Sequence, residues 1–391
     1  MCMLTGITVV DFTRHLPGPY CTMRLADLGA DVIKVEAYPH GDPGRSMGPR
    51  LGNTGALYLS SNRNKRSVAI NLRSVEGREL AFSLACQADV VVESFRPGVM
   101  HHLGLDYARL QQAHPQIVYC SVTGYGQNGA MHQLGGHDLN YQAVSGFLST
   151  IRDREGKPVV SEVLVADFAV GVYAAEQICA ALVQRAIRGV GAHLDVASTD
   201  LLASWLALHA CLSPAGGEQS IQHFLKGLLA YNTYETADGR YVALAALEEK
   251  FWLNFCRAVG RQDWEELHGA SIADCPEVYE EMKELFLTRT QTEWHELGCE
   301  VDCCLTAVEE LDTWRESGYL ASRDLVFPLP SPEQKETLQV RTEQKRPVQA
   351  MTPPPDAGEH TWSVLQEKLH CTEEQLLTLE RRGVIPPRKE S

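Results

Sequence analysis

The chain has 391 residues, 44% hydrophobic and 22% charged, which suits one large or two ordinary globular domains. Lys and Arg number 35 against 50 Asp and Glu, a net charge of −15. That balance argues against a nucleic-acid or acidic-membrane binder, so an anionic ligand requires a local cluster of cations.

The start, MCMLTGITVVDF, lacks the basic residues and long apolar run of a signal peptide, and no run of about 18 apolar residues predicts a membrane span. The 12 cysteines are scattered without a CxxC motif, and Cys303–Cys304 has no metal-ligand company. Reduced thiols, a cytoplasmic location and no metal site are expected.

Ile7–Phe12 is a short apolar run, read as a buried strand. The turn TRHLPGP leads to a helix over Tyr20–Leu28, ended by Gly29, and Asp31–Glu36 is the next strand. Strand, helix and strand in quick succession make a βαβ unit and predict a parallel sheet. Strands follow at Ser67–Leu72, Ala88–Phe95 and Ile117–Val122, separated by helices over Val75–Cys86 and near Tyr107–His114. This alternation predicts a doubly wound α/β domain of Rossmann-like type, with ligands beyond the carboxyl ends of the strands. Those ends carry Thr13–Pro19, Ala37–Arg45, Phe95–Gly98 and Gly124–Gly129.

A long helix rich in small residues is predicted over Ala166–Arg188, then a strand at Ala192–Ser198, a helix over Thr199–Leu212 and a loop at Ser213–Ser220. The character then changes. Thr233–Leu247 reads as a hairpin turning at Ala237-Asp238-Gly239. Acidic helices follow near Glu248–Gly260, Glu277–Thr288 and Thr292–Leu297, giving a smaller α+β domain. From about Phe327 the chain is proline-rich and polar, ending in helices at Thr361–Leu369 and Thr372–Arg382. The boundaries drawn are 1–215 for the large domain, 226–325 for the small one and 326–391 for a linker with C-terminal helices.

Gly124-Tyr-Gly-Gln-Asn-Gly129 matches GxGxxG after a strand, but no helix opens directly behind it. A glycine-rich active-site loop is the better reading. Asn62–Arg66 is the densest basic cluster, and with Arg45 and Arg96 it suggests an anionic ligand held by charge-assisted hydrogen bonds; a solvated turn is the plain alternative. His137 and Asp138 follow two glycines, and Asp167 opens the long helix. Each acid could simply cap a helix; together with the histidine they could also face one substrate. Glu248 is most simply the first turn of an acidic helix.

The segments LPGPYCTMRLADLGADVIKVE (Leu16–Glu36), NRNKRSVAINLRSVEGREL (Asn62–Leu80), ADVVVESFRPGV (Ala88–Val99), YCSVTGYGQNG, GGHDLNY, VADFAVGVYAA, DGRYVALAALEEKFW and DCCLTAVEEL, in this order, resemble the family III CoA-transferases and their relatives the α-methylacyl-CoA racemases (the CaiB/BaiF group). The resemblance implies an open-ring subunit with a large and a small domain, its C-terminal segment returning to the large one. It also implies two rings interlocked as a homodimer, with the active site between the large domain of one subunit and the small domain of the other. It implies an acyl-CoA substrate, so that coenzyme A enters as part of the substrate, with no tightly bound cofactor.

By the same resemblance Asp167 sits where transferases carry a nucleophilic aspartate, and His137 with Asp167 sits where racemases flank the α-carbon. Glu248 matches an orienting glutamate and Tyr141 a tyrosine near the thioester. Lys65, Arg66 and Arg96 match phosphate contacts. Helix N-terminal amides are expected to stabilise the enolate of a racemase. Ala37 and His102 stand where many members have Arg, leaving Arg45 to substitute. GHDLNY and ALEEKFW favour racemase-type proton transfer; NRNKRSV and LPGPYCTM are common in transferases, the alternative. A non-catalytic acyl-CoA binder is the remote third reading.

Overall fold

The computed structural model describes residues 2–153, 155–212, 227–330, 336–343 and 347–388; the loop expected at Ser213–Ser220 lies outside the described residues. The chain divides into two compact units, Met1–Trp205 with Asp324–Ser391, and Leu206–Arg323.

The first unit is built on six strands: β1 (Thr8–Asp11), β2 (Asp31–Ala37), β3 (Lys65–Ile70), β4 (Val90–Glu93), β5 (Val118–Thr123) and β6 (Ala192–Ala197). They lie in the order β3-β2-β1-β4-β5-β6, and every pairing is parallel. Val9 of β1 lies between Val32 of β2 and Val90 of β4. The chain winds outward from β1 to β3, then returns to place β4 beside β1. That reversal opens a crevice at the carboxyl ends of β1 and β4, where doubly wound sheets bind their ligands.

Side chains alternate along each strand, so both faces are apolar and each is covered by helices. On one face Val9, Val32, Val92 and Cys120 pack with α1 (Pro17–Asp27) and the long α7 (Val165–Arg188), through Cys21, Leu25, Val170, Ala174 and Ile178. On the other, Val10, Ile33, Val68, Val91 and Tyr119 pack with Ala81 and Leu84 of α3 (Val75–Cys86), Leu110 of α5 (Tyr107–Ala113) and Val364 of α14 (Thr361–Leu369). Each fully buried aliphatic side chain of this kind stabilises by about 1.5–3 kcal/mol. The remaining helices of this unit are α2 (Ala56–Ser61), α4 (Val99–Leu103), α6 (Asp138–Val144), α8 (Ser198–Ser204) and α15 (Glu373–Arg381).

Helix α7 is long and apolar enough to cross a membrane by length and composition, yet its small-residue face is core. At Gly171 the approach is tight: a Cβ there would lie 2.8 Å from the Pro17 carbonyl oxygen of α1. The helix expected over Thr199–Leu212 is instead two, α8 and α9 (Ala207–Leu212), interrupted at Trp205 and Leu206.

The segment after Phe327 differs from its expectation. Val326–Pro330 (β10) pairs antiparallel with Glu336–Val340 (β11). Phe327 and Leu329 point inward while Pro328 and Pro330 are exposed. In a two-stranded ribbon each strand is an edge, so proline's missing donor is tolerated where the N–H position faces away from the partner strand. This segment belongs to the first unit and is tied to it by Arg63, whose guanidinium donates to both Asp27 carboxylate oxygens, to Gln339 and to the Val340 carbonyl.

The second unit is a three-stranded antiparallel sheet, with β8 (Tyr241–Ala245) between β7 (Tyr231–Glu235) and β9 (Leu305–Ala307). It packs against α10 (Glu249–Ala258), α11 (Pro276–Phe286) and α12 (Gln291–Val301), and is followed by the short α13 (Gly318–Ser322). Trp252, Phe255, Trp264, Phe286 and Trp294 fill its core. The indole N–H groups of Trp252 and Trp294 donate to the Trp264 and Phe286 carbonyls at 2.8 Å, whereas the buried indole N–H of Trp264 has no partner among the described residues.

Candidate active site

A pocket of about 330 Å³ opens at the crevice between β1 and β4. Its walls come from the β1 turn (Arg14, His15, Pro17), the β4 turn (Ser94–Pro97), the end of β5 (Val122–Tyr125), the glycine loop (His132–His137), Tyr141 of α6 and Asp167 of α7. The sequence-predicted residues His137, Tyr141, Arg96 and Asp167 therefore meet in one place.

Asp167 is half-buried. Burial, and then the charge of nearby Asp138, push its carboxyl up to about 7. Asp138 itself is buried and tied down: Oδ1 accepts the backbone N–H of Ala166 at 2.7 Å and of Asp167 at 3.2 Å, and Oδ2 accepts from Gln142 at 2.5 Å. So Asp138 caps α7 from outside that helix, where an anion is favoured by the dipole, and leaves a second carboxyl beside it that holds its proton near neutrality. This carboxylate takes the N–H groups of Ala166 and Asp167, so those two α7 amides are not free to stabilise an enolate.

His137 is exposed, and its backbone N–H donates to Asn140 Oδ1 at 3.0 Å. Tyr141 donates its hydroxyl to the Gly136 carbonyl at 2.6 Å. Burial and the neighbouring Asp167 push that phenol up to about 12, so it stays a neutral donor. Gly124 makes room for it: a Cβ there would lie 2.2 Å from the Tyr141 ring. The first glycine of GYGQNG thus admits an aromatic wall, and the next helix, α6, starts only at Asp138.

Three of the expected phosphate contacts are engaged inside the fold. Lys65 is buried, its ammonium 3.1 Å from Asp11 and donating to the Pro19 carbonyl and to Asn62. Burial alone would raise the Asp11 carboxyl, but Lys65, Lys34 and the hydroxyls of Thr13 and Thr22 hold it below the usual carboxylate range. Arg45 forms a two-pronged pair with the buried Glu36 at 2.7 Å and donates to the Pro355 carbonyl. Arg66 pairs with Asp31 and Glu367, each at 2.6 Å. These cations answer carboxylates of their own chain, which a stretch of sequence does not reveal. Arg96 differs: it is exposed, lines the pocket, and has no ion pair among the described residues. Glu248 is exposed at the N-terminus of α10 in the second unit.

The sequence reading passed over Arg14 and His15, although it placed their turn at a strand end. His15 has a left-handed backbone (φ +67°), held there by its N–H donating to Asp42 Oδ1 at 3.3 Å. A non-glycine residue in that region carries strain of about 1–3 kcal/mol, a cost that clusters at functional sites. Beyond Arg96 lies a second cavity of about 310 Å³, lined by Glu93, Tyr107, Ser121 and His193. Burial pushes the Glu93 carboxyl up to about 7, against the opposing hydrogen bonds from Ser121 and the Phe95 N–H. Among the described residues no group of three or more His, Cys, Asp or Glu is gathered as metal ligands would be.

The profile of CoA-transferase family III matches residues 4–361. The chain belongs to this family. It is 32% identical to mouse α-methylacyl-CoA racemase over 98% of this chain and 97% of that protein. It is also 37% identical to human succinyl-CoA:glutarate CoA-transferase, over 63% of this chain and 57% of that one. A CaiB/BaiF family protein from Brucella suis has a similar structure, with a TM-score of 0.79 and 28% identity over 94% of this chain and 99% of its own. A hypothetical protein from Mycobacterium tuberculosis gives a TM-score of 0.80 at 30% identity, over 93% and 99%. Family members carry racemase and CoA-transferase names, and the chain is an enzyme of this CoA-using family.

Proposed function

We propose that the chain catalyses 1,1-proton transfer at the α-carbon of a CoA thioester, of the α-methylacyl-CoA racemase type. The observation that carries this reading is a carboxyl, Asp167, whose proton is held near neutrality in the same pocket as His137. Acid–base groups work best when their affinity for the proton matches the working pH. One of the pair removes the α-proton, the electron pair moves onto the thioester oxygen, and the other delivers its own proton to the opposite face. With the α7 amides taken by Asp138, the enolate charge is met by cationic side chains lining the pocket. Glu248 keeps the orienting role that the resemblance implies.

The test is incubation of a 2-methylacyl-CoA with the protein in D2O. Deuterium at the α-carbon with loss of configuration is expected; its absence, alongside transfer of CoA to a free acid, contradicts the reading.

CoA transfer is the second reading, favoured by the identity to human and mouse succinyl-CoA:glutarate CoA-transferases, 37% and 40%. There the Asp167 carboxylate attacks the thioester carbonyl, CoA thiolate leaves, and an anhydride forms. A nucleophile has to be ionised, and the raised Asp167 carboxyl is less so at neutral pH, which suits a proton carrier better. Trapping with hydroxylamine during turnover labels Asp167 only on this second reading.

We further propose that the working form is the interlocked homodimer implied by the resemblance. Val172, Val183 and Ile187 of α7, exposed at 41%, 59% and 77%, support it as an apolar surface to be covered. Light scattering at the mass of one chain contradicts it.

A further inference from the structure

The second cavity, of about 310 Å³, lies on the other side of the turn that carries Arg96, and neither Asp167 nor His137 lines it. The register of the sheet builds it. Glu93 ends β4 opposite Ser121 of β5, and Ser121 lies opposite Asp195 of β6, so three polar side chains form one row at the carboxyl edge. Partners in register on parallel strands point to the same face. Two residues earlier, Tyr119 and His193 are paired in the same way. Tyr107 of α5 stacks on His193 at 4.8 Å, and Tyr119 meets His193 edge-on at 5.3 Å, giving an aromatic wall.

Two polar groups lining this cavity lack a matching partner. Glu93 is 4% exposed and forms no ion pair among the described residues. Its carboxyl accepts the Phe95 N–H at 2.8 Å and bonds to the Ser121 hydroxyl, both neutral. Gln127 is fixed through its backbone N–H, which donates to Asp195 at 3.0 Å, yet its buried Nε2 has no hydrogen-bond partner among the described residues. A buried acid without a cation and a buried donor without an acceptor are both costly, and a ligand that meets both removes the cost. The charges around Glu93 favour a cation there. Asp195 adds to burial in raising its carboxyl. Arg96 turns its guanidinium to the active-site pocket, where a Cβ on Gly135 would lie 2.9 Å from it. The exposed His101 of α4 is engaged with Asp106 at 3.3 Å. Burial holds His193 below the ordinary imidazole value, against the pull of Asp195, so it brings no charge at neutral pH.

We propose that this cavity binds a small primary amine that also carries an oxygen acceptor, of the amino-alcohol or amino-acid kind, with its ammonium on Glu93 and its oxygen on Gln127 Nε2. The rings of Tyr107, Tyr119 and His193 favour a cation through their π faces. At about 310 Å³ the cavity is near the lower limit of ligand sites, roughly 300 Å³, and takes a molecule of few heavy atoms. The site stands apart from the acyl-CoA chemistry and holds whichever reaction Asp167 performs.

The test is calorimetry on the full chain with ethanolamine, β-alanine, propionamide and propionate at pH 8 and pH 6. Glu93 has to be ionised to hold an ammonium, and its carboxyl titrates at about 7. An amine is therefore expected to bind at pH 8 and about tenfold more weakly at pH 6. Glu93→Gln is expected to abolish that binding and Gln127→Leu to weaken it roughly three- to tenfold, while Asp167→Asn in the other pocket leaves it unchanged. Binding of ethanolamine alone, or of β-alanine alone, supports the site and names the class. Propionamide or propionate binding as tightly as the amines overturns the proposal. So does amine binding that is lost in Asp167→Asn and kept in Glu93→Gln, or no binding of either amine. Should circular dichroism show Glu93→Gln unfolded, wild type and Gln127→Leu decide: amine binding indifferent both to pH and to Gln127→Leu overturns the proposal.

Discussion

Asp138 and Asp167 share one helix N-terminus: the Asp138 carboxylate accepts the backbone N–H of Asp167 at 3.2 Å and of Ala166 at 2.7 Å. One acid is thereby spent on structure, and the other is left beside a fixed negative charge in a half-buried pocket. The order of the two residues along the chain does not suggest this division. Asp138 sits next to His137 in the chain, yet it serves the helix that carries Asp167.

The first prediction concerns Asp167 and pH. Its folded-state pKa, about 7, lies above the ordinary aspartate value of about 3.9, so the folded chain binds this proton more tightly than the unfolded one. That contribution is fully present below pH 4 and is lost as pH rises through 7. Asp167→Asn is expected to stabilise the protein by about 1–3 kcal/mol at pH 8 and by little at pH 4, while abolishing turnover. Urea unfolding at the two pH values reads the difference; equal effects at both would show that Asp167 is an ordinary carboxylate.

Asp138→Asn keeps an oxygen for the two N–H groups but removes the charge. The Asp167 carboxyl is then expected to fall by roughly one pH unit, since burial, the larger cause, remains. The corresponding limb of the kcat/KM profile moves to lower pH by the same amount. A profile that stays in place while activity drops assigns Asp138 to capping alone.

Lys65 and Arg96 separate structure from binding. Removing one partner of a buried pair strands the other, so Lys65→Ala is expected to destabilise by about 3–5 kcal/mol through Asp11. Arg96→Ala is expected to leave the melting temperature nearly unchanged and to raise KM for the CoA thioester about tenfold. A stable Lys65→Ala protein with a raised KM returns Lys65 to the phosphates.

Much of the fold was legible because periodicity is a local property. The predicted helix over Val75–Cys86 and the one over Thr361–Leu369 match the observed spans, and the alternation of strands and helices was enough to predict the parallel sheet and its ligand edge. What was hidden depended on partners distant in sequence. Lys65 and Arg45 look like free cations until the folded chain supplies Asp11 and Glu36. The prolines after Phe327 masked a period-two strand whose apolar residues, Phe327 and Leu329, are two apart across Pro328. Arg14 and His15 lay at a predicted strand end, and their geometry there depends on Asp42 and Ser94, which no motif links to them.

The most direct test of the central claim, that Asp167 and His137 exchange protons with opposite faces of one α-carbon, is deuterium incorporation from each pure epimer of a 2-methylacyl-CoA in D2O by His137→Gln and Asp167→Asn. Each variant is expected to lose exchange from the epimer whose proton faced the missing group, by about 10²–10⁴-fold, with the two variants affecting opposite epimers. Equal loss from both epimers in both variants, or full exchange in His137→Gln, contradicts the account.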